Sequence, residues 1–104
     1  MDEITGEELK QRMDRGETLH LVDVREPQEH SEFSIGGILL PLGQIRVLDV
    51  DSIEDLKGEE VICYCRSGNR SGLACQILDS LGFVRTRNLR GGMLYWQQHF
   101  GEGK

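Results

Sequence analysis

The stretch Val61 to Leu78, VICYCRSGNRSGLACQIL, carries an apolar run up to Cys65 and follows it with Arg66, Ser67, Gly68, Asn69, Arg70 and Ser71. A loop of small and polar residues that runs straight into a helix can curl so that successive backbone N–H groups converge on one point at the positive end of that helix. Such a cradle takes an anion, and Cys65 stands at its rim. Those amides, the helix dipole and the charges of Arg66 and Arg70 all favour the thiolate, which is the attacking form of cysteine. The residue types therefore point to a nucleophile that needs no histidine partner; His20, His30 and His99 lie in three separate segments. A small inert core residue is the bland alternative for Cys65, and the R-S-G-N-R run behind it argues the other way. Metal binding is a weaker reading still, because C-x-C without a second Cys/His pair at usable spacing does not build a zinc site. Cys63 and Cys75 read as packing residues, one inside a strand and one inside a helix.

The elements that must hold this loop can be read from pattern. Val61 to Cys65 is a buried strand, and Ser71 to Leu81 is a helix with Leu73, Ile77, Leu78 and Leu81 on one face and Gly82 at its end. Upstream, Thr5 and Glu8 form a T-x-x-E capping box that opens a helix through Leu9 and Met13, closed by Gly16. Thr18 to Val24 is a second buried strand with Pro27 as its stop, and Ile38 to Leu42 a short further one. A short helix, capped by Asp51 or Ser52, runs to Gly58. Val84 to Leu89 makes a fourth strand, and a last helix places Met93, Trp96 and Phe100 at near-helical spacing. Strands alternating with helices predict an α/β domain in three layers, a mostly parallel central sheet flanked by helices. In such sheets ligands bind beyond the carboxyl ends of the strands. The turn from Cys65 to Ser71 lies at such an end.

A length of 104 residues predicts one domain over residues 1–104. The net charge of −6 argues against a broad nucleic-acid footprint, which needs a basic face, so basic residues act locally here. The N-terminus MDEITGEELKQRMDRG is polar and acidic, unlike a secretory signal, and nowhere do enough apolar residues run together to span a membrane. A cytoplasmic location is expected. Three bunched cysteines do not make a disulfide framework, which fits a reducing compartment.

The loop CRSGNRS resembles the active-site loop of rhodanese-like sulfurtransferases. LVDVREPQEHSEFSIGGILLPL is similar to that family's D-V-R-x-x-x-E region, and Gly82-Phe83 with NLRGGMLYW resembles its remaining signatures, in the same order from about Ile4 to Phe100. Where relatives carry G-H-I-P-G-A, this chain has Phe33, Ser34, Ile35, Gly36, Gly37 and Ile38. That segment supports a strand and supplies no nucleophile. The resemblance implies a double displacement in which Cys65 takes sulfur from thiosulfate or another donor, holds it as a persulfide, and yields it to cyanide or a thiol. Arg66 through Ser71 would be the cradle, with the Arg66 and Arg70 side chains attracting the anion and bracing the loop. No metal or organic cofactor is implied; a sulfur-donor or sulfur-acceptor protein is a further partner. Asp23, Arg25 and Glu29 would be buried polar partners that tie loops together, and Arg85, Arg87 and Arg90 a solvated strand edge or a docking patch. Two other readings stand beside this one. Rhodanese-like domains also serve as inactive or regulatory binding modules, although these usually lack the cysteine. The related cell-cycle phosphatases, like an arsenate reductase, are disfavoured by loop length, since those phosphatases place five residues between cysteine and arginine and this chain places four between Cys65 and Arg70.

Overall fold

The structure is a computed structural model and describes residues 1–101; the last three residues of the expected 1–104 unit lie outside the described residues. Its elements follow in the order β1 (Asp2–Ile4), α1 (Gly6–Asp14), β2 (Leu21–Asp23), α2 (Pro27–Glu32), β3 (Ile38–Leu39), α3 (Leu42–Arg46), a 3-10 segment (Asp51–Leu56), β4 (Glu60–Tyr64), α4 (Asn69–Ser80), β5 (Arg85–Leu89) and α5 (Gly92–Phe100). The five strands form one sheet in the order β1-β5-β4-β2-β3, every pair parallel. Parallel neighbours cannot be joined by a tight turn, so helices carry the chain back across the faces and bury both. This is why all three residues of β2 and the last four of β4 are buried.

Two cores result, one on each face of the sheet. On one side Val22, Val61, Cys63 and Cys65 pack against Ile45 of α3 and Ala74, Cys75 and Leu78 of α4. On the other, Ile62 and Tyr64 pack against Leu9 of α1 and Met93 and Trp96 of α5. The alternation along β4 follows from the two-residue period of a strand. It sends Cys65 to the α4 side, toward the start of that helix.

Several elements differ from the pattern reading. Pro27 opens α2 instead of stopping the chain, because the first turn of a helix has no use for the N–H that proline lacks. Glu29 accepts a hydrogen bond from the Glu26 N–H and closes that turn. The strand at Ile38 keeps only two ladder residues; Leu40 and Leu42 N–H still donate to the Asp23 and Val24 carbonyls, and the chain then turns into α3 at Leu42. The strand expected from Thr18 begins at Leu21. The segment from Asp51 is 3-10 and is kinked at Ile53. β1 is polar and three residues long, and it exists by pairing with β5 at the sheet edge. α4 begins at Asn69, two residues before Ser71, and turns Ser71, Ala74, Cys75 and Leu78 inward, leaving Leu73, Ile77 and Leu81 at the margin.

Candidate active site

Cys65 follows the last residue of β4, the central strand of the sheet, and is 1% exposed. Three donors lie within hydrogen-bond reach of its sulfur: the Gly68 N–H at 3.1 Å, the Ser71 N–H at 3.3 Å and the Ser71 hydroxyl at 3.3 Å. Gly68 makes this possible. It stands immediately before α4 with φ +107°, a left-handed conformation that costs a side-chain-bearing residue strain and glycine little.

The carbonyl side of the same loop is held from α5. Met93 N–H donates to the Cys65 carbonyl and Leu94 N–H to the Arg66 carbonyl, each at 2.9 Å. These are among the unpaired N–H groups that every helix start presents. They can reach because Gly92 has no side chain; a Cβ there would collide with the backbone of Cys65 and Arg66, and its φ of +56° is itself left-handed. With its carbonyls occupied by α5, the loop turns amides toward the sulfur.

Burial opposes ionisation of Cys65, but the Ser71 hydroxyl and the amides of Ser71, Gly68 and Ser67 outweigh it and hold the thiol below its ordinary range. A charge that accepts several fixed donors loses little by leaving water. Cys63 behaves in the opposite way. Its hydrogen bond with Cys75 and its complete burial push that thiol well above the ordinary range, so two cysteines two residues apart differ sharply in acidity.

The loop arginines take different places. Arg70 is engaged: its two terminal nitrogens donate to the two carboxylate oxygens of Glu29 on α2 at 2.8 and 2.9 Å. That two-pronged pair bolts α2 to the cradle and, ahead of burial and the Glu26 N–H in strength, holds the Glu29 carboxyl down to about 2. Arg66 is exposed, and its side chain makes no hydrogen bond or ion pair among the described residues. It lines a hollow of about 250 Å³ together with Arg25, Glu29, Glu32, Phe33, Met93 and Gln97. Ser67 and Asn69 are exposed at the loop surface.

Asp23, at the end of β2, is fully buried and accepts from the Arg25 N–H, from Arg25 Nε at 2.9 Å and terminal nitrogen at 2.8 Å, and contacts His30 Nδ1 at 2.8 Å. Arg25 also donates to the Phe33 carbonyl at 2.6 Å, tying the chain beyond α2 to β2. The arginines of β5 and its exit are occupied by carboxylates: Arg87 meets Glu8 and Glu60, Arg90 meets Glu3, and Arg85 lies 3.7 Å from Glu60. They form a self-neutralised cluster on a strand paired on both sides, neither the expected solvated strand edge nor an open basic patch.

One site residue escaped the sequence reading. Asn88 of β5 is buried, accepts from the Ser71 hydroxyl at 2.5 Å and donates to the Gly68 carbonyl at 3.0 Å. The signal that could have found it is a polar residue in a strand position that must be buried, where an unpaired amide would be costly.

The rhodanese-like domain family matches residues 5–99 of the chain. A protein of Allochromatium vinosum named sulfurtransferase is 39% identical over 100 residues, covering 95% of this chain and 91% of that one. The thiosulfate sulfurtransferase PspE of Escherichia coli is 32% identical over 73 residues, covering 69% of each. Among solved structures, a rhodanese-like domain protein from Staphylococcus aureus superposes with a TM-score of 0.80 at 29% identity, over 92% of this chain and 91% of that one.

Proposed function

The chain belongs to the rhodanese-like domain family, and because relatives it matches are named sulfurtransferases we propose that it transfers a sulfane sulfur through a persulfide on Cys65. The observation that carries this reading is the set of three donors on one buried sulfur, from Gly68 N–H, Ser71 N–H and the Ser71 hydroxyl. In the first step the Cys65 thiolate attacks the outer sulfur of thiosulfate. The S–S bond of the donor breaks, sulfite leaves with its electron pair, and the outer sulfur stays on the enzyme. In the second step cyanide or an acceptor thiolate attacks that outer sulfur, and Cys65 departs as thiolate. Charge on sulfur appears and disappears in both steps within the reach of fixed amides, which need no rearrangement to meet it. Arg66, unpaired at the edge of the hollow, draws the donor anion in, while Arg70 braces the loop through Glu29.

The same proposal takes residues 1–104 as one rhodanese-like unit acting in the cytoplasm on small sulfur anions or on a sulfur-bearing protein. Among the described residues no helix is long and apolar enough to cross a membrane. Phosphoester hydrolysis fits less well, since only four residues separate Cys65 from Arg70 and Arg70 is turned onto Glu29.

The test is turnover. Wild-type protein should convert thiosulfate and cyanide to thiocyanate and sulfite, and Cys65→Ser should abolish this while leaving the thermal transition in place. Substantial turnover by folded Cys65→Ser, or faster release of phosphate from a phosphoester than transfer of sulfur, would sink the reading; no turnover with any sulfur donor would favour a binding module.

A further inference from the structure

Ser71 holds one hydroxyl proton and faces two acceptors, Asn88 Oδ1 at 2.5 Å and Cys65 Sγ at 3.3 Å. It can serve only one of them at a time. The orientation of the Asn88 amide is fixed by the Gly68 carbonyl. Its Nδ2 donates to the Gly68 carbonyl at 3.0 Å, and the flipped amide would set two carbonyl oxygens against each other with no proton between them. Oδ1 therefore faces Ser71 as a pure acceptor, close and in a buried setting where such a bond is strong.

We propose that Asn88 is a positioning residue of this site, which draws the Ser71 hydroxyl proton away from Cys65 while the sulfur is protonated and releases it when the sulfur becomes an anion. In the thiol form the chain runs from S–H to Ser71 Oγ, and from Ser71 O–H to Asn88 Oδ1. In the thiolate form the S–H donor is gone and the hydroxyl rotates onto the sulfur. That rotation gives Cys65 its third donor and leaves Asn88 Oδ1 without one. Asn88 thus works in two directions. Through Gly68 it keeps one amide aimed at the sulfur; through Ser71 it withholds another donor until charge is present.

The consequence is a thiolate less stabilised than three unconditional donors would make it. An attacking sulfur loses nucleophilicity as its basicity falls, so a cradle that over-stabilises the anion slows attack. The device suits a sulfur that must both form and leave as an anion. Other influences on the sulfur do not duplicate it: Cys63, on the same face of β4, stays neutral, Arg70 on α4 is held by Glu29, and β5 offers the uncharged Asn88.

The inference rests on Cys65 as the reacting sulfur, but its test needs no sulfur donor and so fails separately from the proposed activity. The pH midpoint of iodoacetamide alkylation at Cys65, read by mass spectrometry, is compared in wild type, Asn88→Ala, Asn88→Leu, Ser71→Ala and the doubles of each Asn88 variant with Ser71→Ala. Asn88→Ala should lower the midpoint by about 0.5 to 1 pH unit, the worth of one hydrogen bond made over to the thiolate. A merely structural loosening of Gly68 would raise it, so the sign separates the two. Asn88→Leu, which removes the same acceptor but keeps the bulk, should lower the midpoint likewise and serves if the alanine variant does not fold. Both effects should shrink sharply when Ser71 is alanine. A midpoint that rises or stays put in folded Asn88→Ala, or shifts that are the same with and without the Ser71 hydroxyl, would overturn the proposal.

Discussion

Replacing Glu29 with glutamine cuts the bolt between α2 and the cradle without removing its bulk. Glu29 Oε1 would still accept from the Glu26 N–H, but the new amide nitrogen would face an Arg70 nitrogen at what is now 2.9 Å. The carboxyl sits at about 2 in the folded protein, against about 4.3 for a free glutamate. By linkage the difference corresponds to at most about 3 kcal/mol. Both side chains remain open to water, 28% for Glu29 and 34% for Arg70, so solvent screening reduces the expected contribution to about 1 to 2 kcal/mol. The sign follows from the depressed carboxyl: the stabilisation is complete above about pH 4.3 and fades as pH falls toward about 2. Urea denaturation at pH 7 should therefore show Glu29→Gln less stable by about 1 to 2 kcal/mol, with the gap from wild type closing toward about pH 2. In an Arg70→Ala background the same substitution should cost much less, since the partner is already gone. A Glu29→Gln protein as stable as wild type at pH 7, or a gap that persists unchanged to pH 2, would refute the claim that this pair braces the loop.

Other substitutions probe the frame and the neighbouring thiols. Gly92→Ala should destabilise the protein by about 3 kcal/mol or more in thermal or urea unfolding, because its Cβ meets the backbone of Cys65 and Arg66 and its φ is left-handed. Gly43→Ala, at a position with open space around it, is the control that should stay within about 1 kcal/mol. Cys63→Ala and Cys75→Ala each remove a buried sulfur and should cost about 1 to 3 kcal/mol while leaving sulfur transfer intact; loss of turnover in either folded variant would show a relay thiol instead of a packing residue.

The core of the site was legible because its signals are local. A strand of apolar residues, a thiol and a run of small residues into a helix lie within one continuous stretch, and β4, the loop and α4 follow from it. α2 was hidden because none of its residues is buried, so it has no apolar face to set a helical period, and because Pro27 reads equally as a stop or as a first-turn residue. β1 has no strand character of its own and is made by β5. The partner of Arg70 lies 41 residues away and the partner of Ser71 lies 17 away; both were brought in by sheet and helix packing, which sequence spacing does not encode. The two glycines before Met93 are visible in sequence, but only the approach of α5 to the Cys65 carbonyl explains why the second must lack a side chain.

Intact mass spectrometry after brief incubation with thiosulfate tests the central claim most directly. Wild-type protein should gain the mass of one sulfur atom, the gain should map to Cys65, and an added thiol or cyanide should remove it; Cys63→Ala and Cys75→Ala should gain it too. A mass unchanged by thiosulfate and by other sulfur donors, or a sulfur retained by folded Cys65→Ala, would contradict the account.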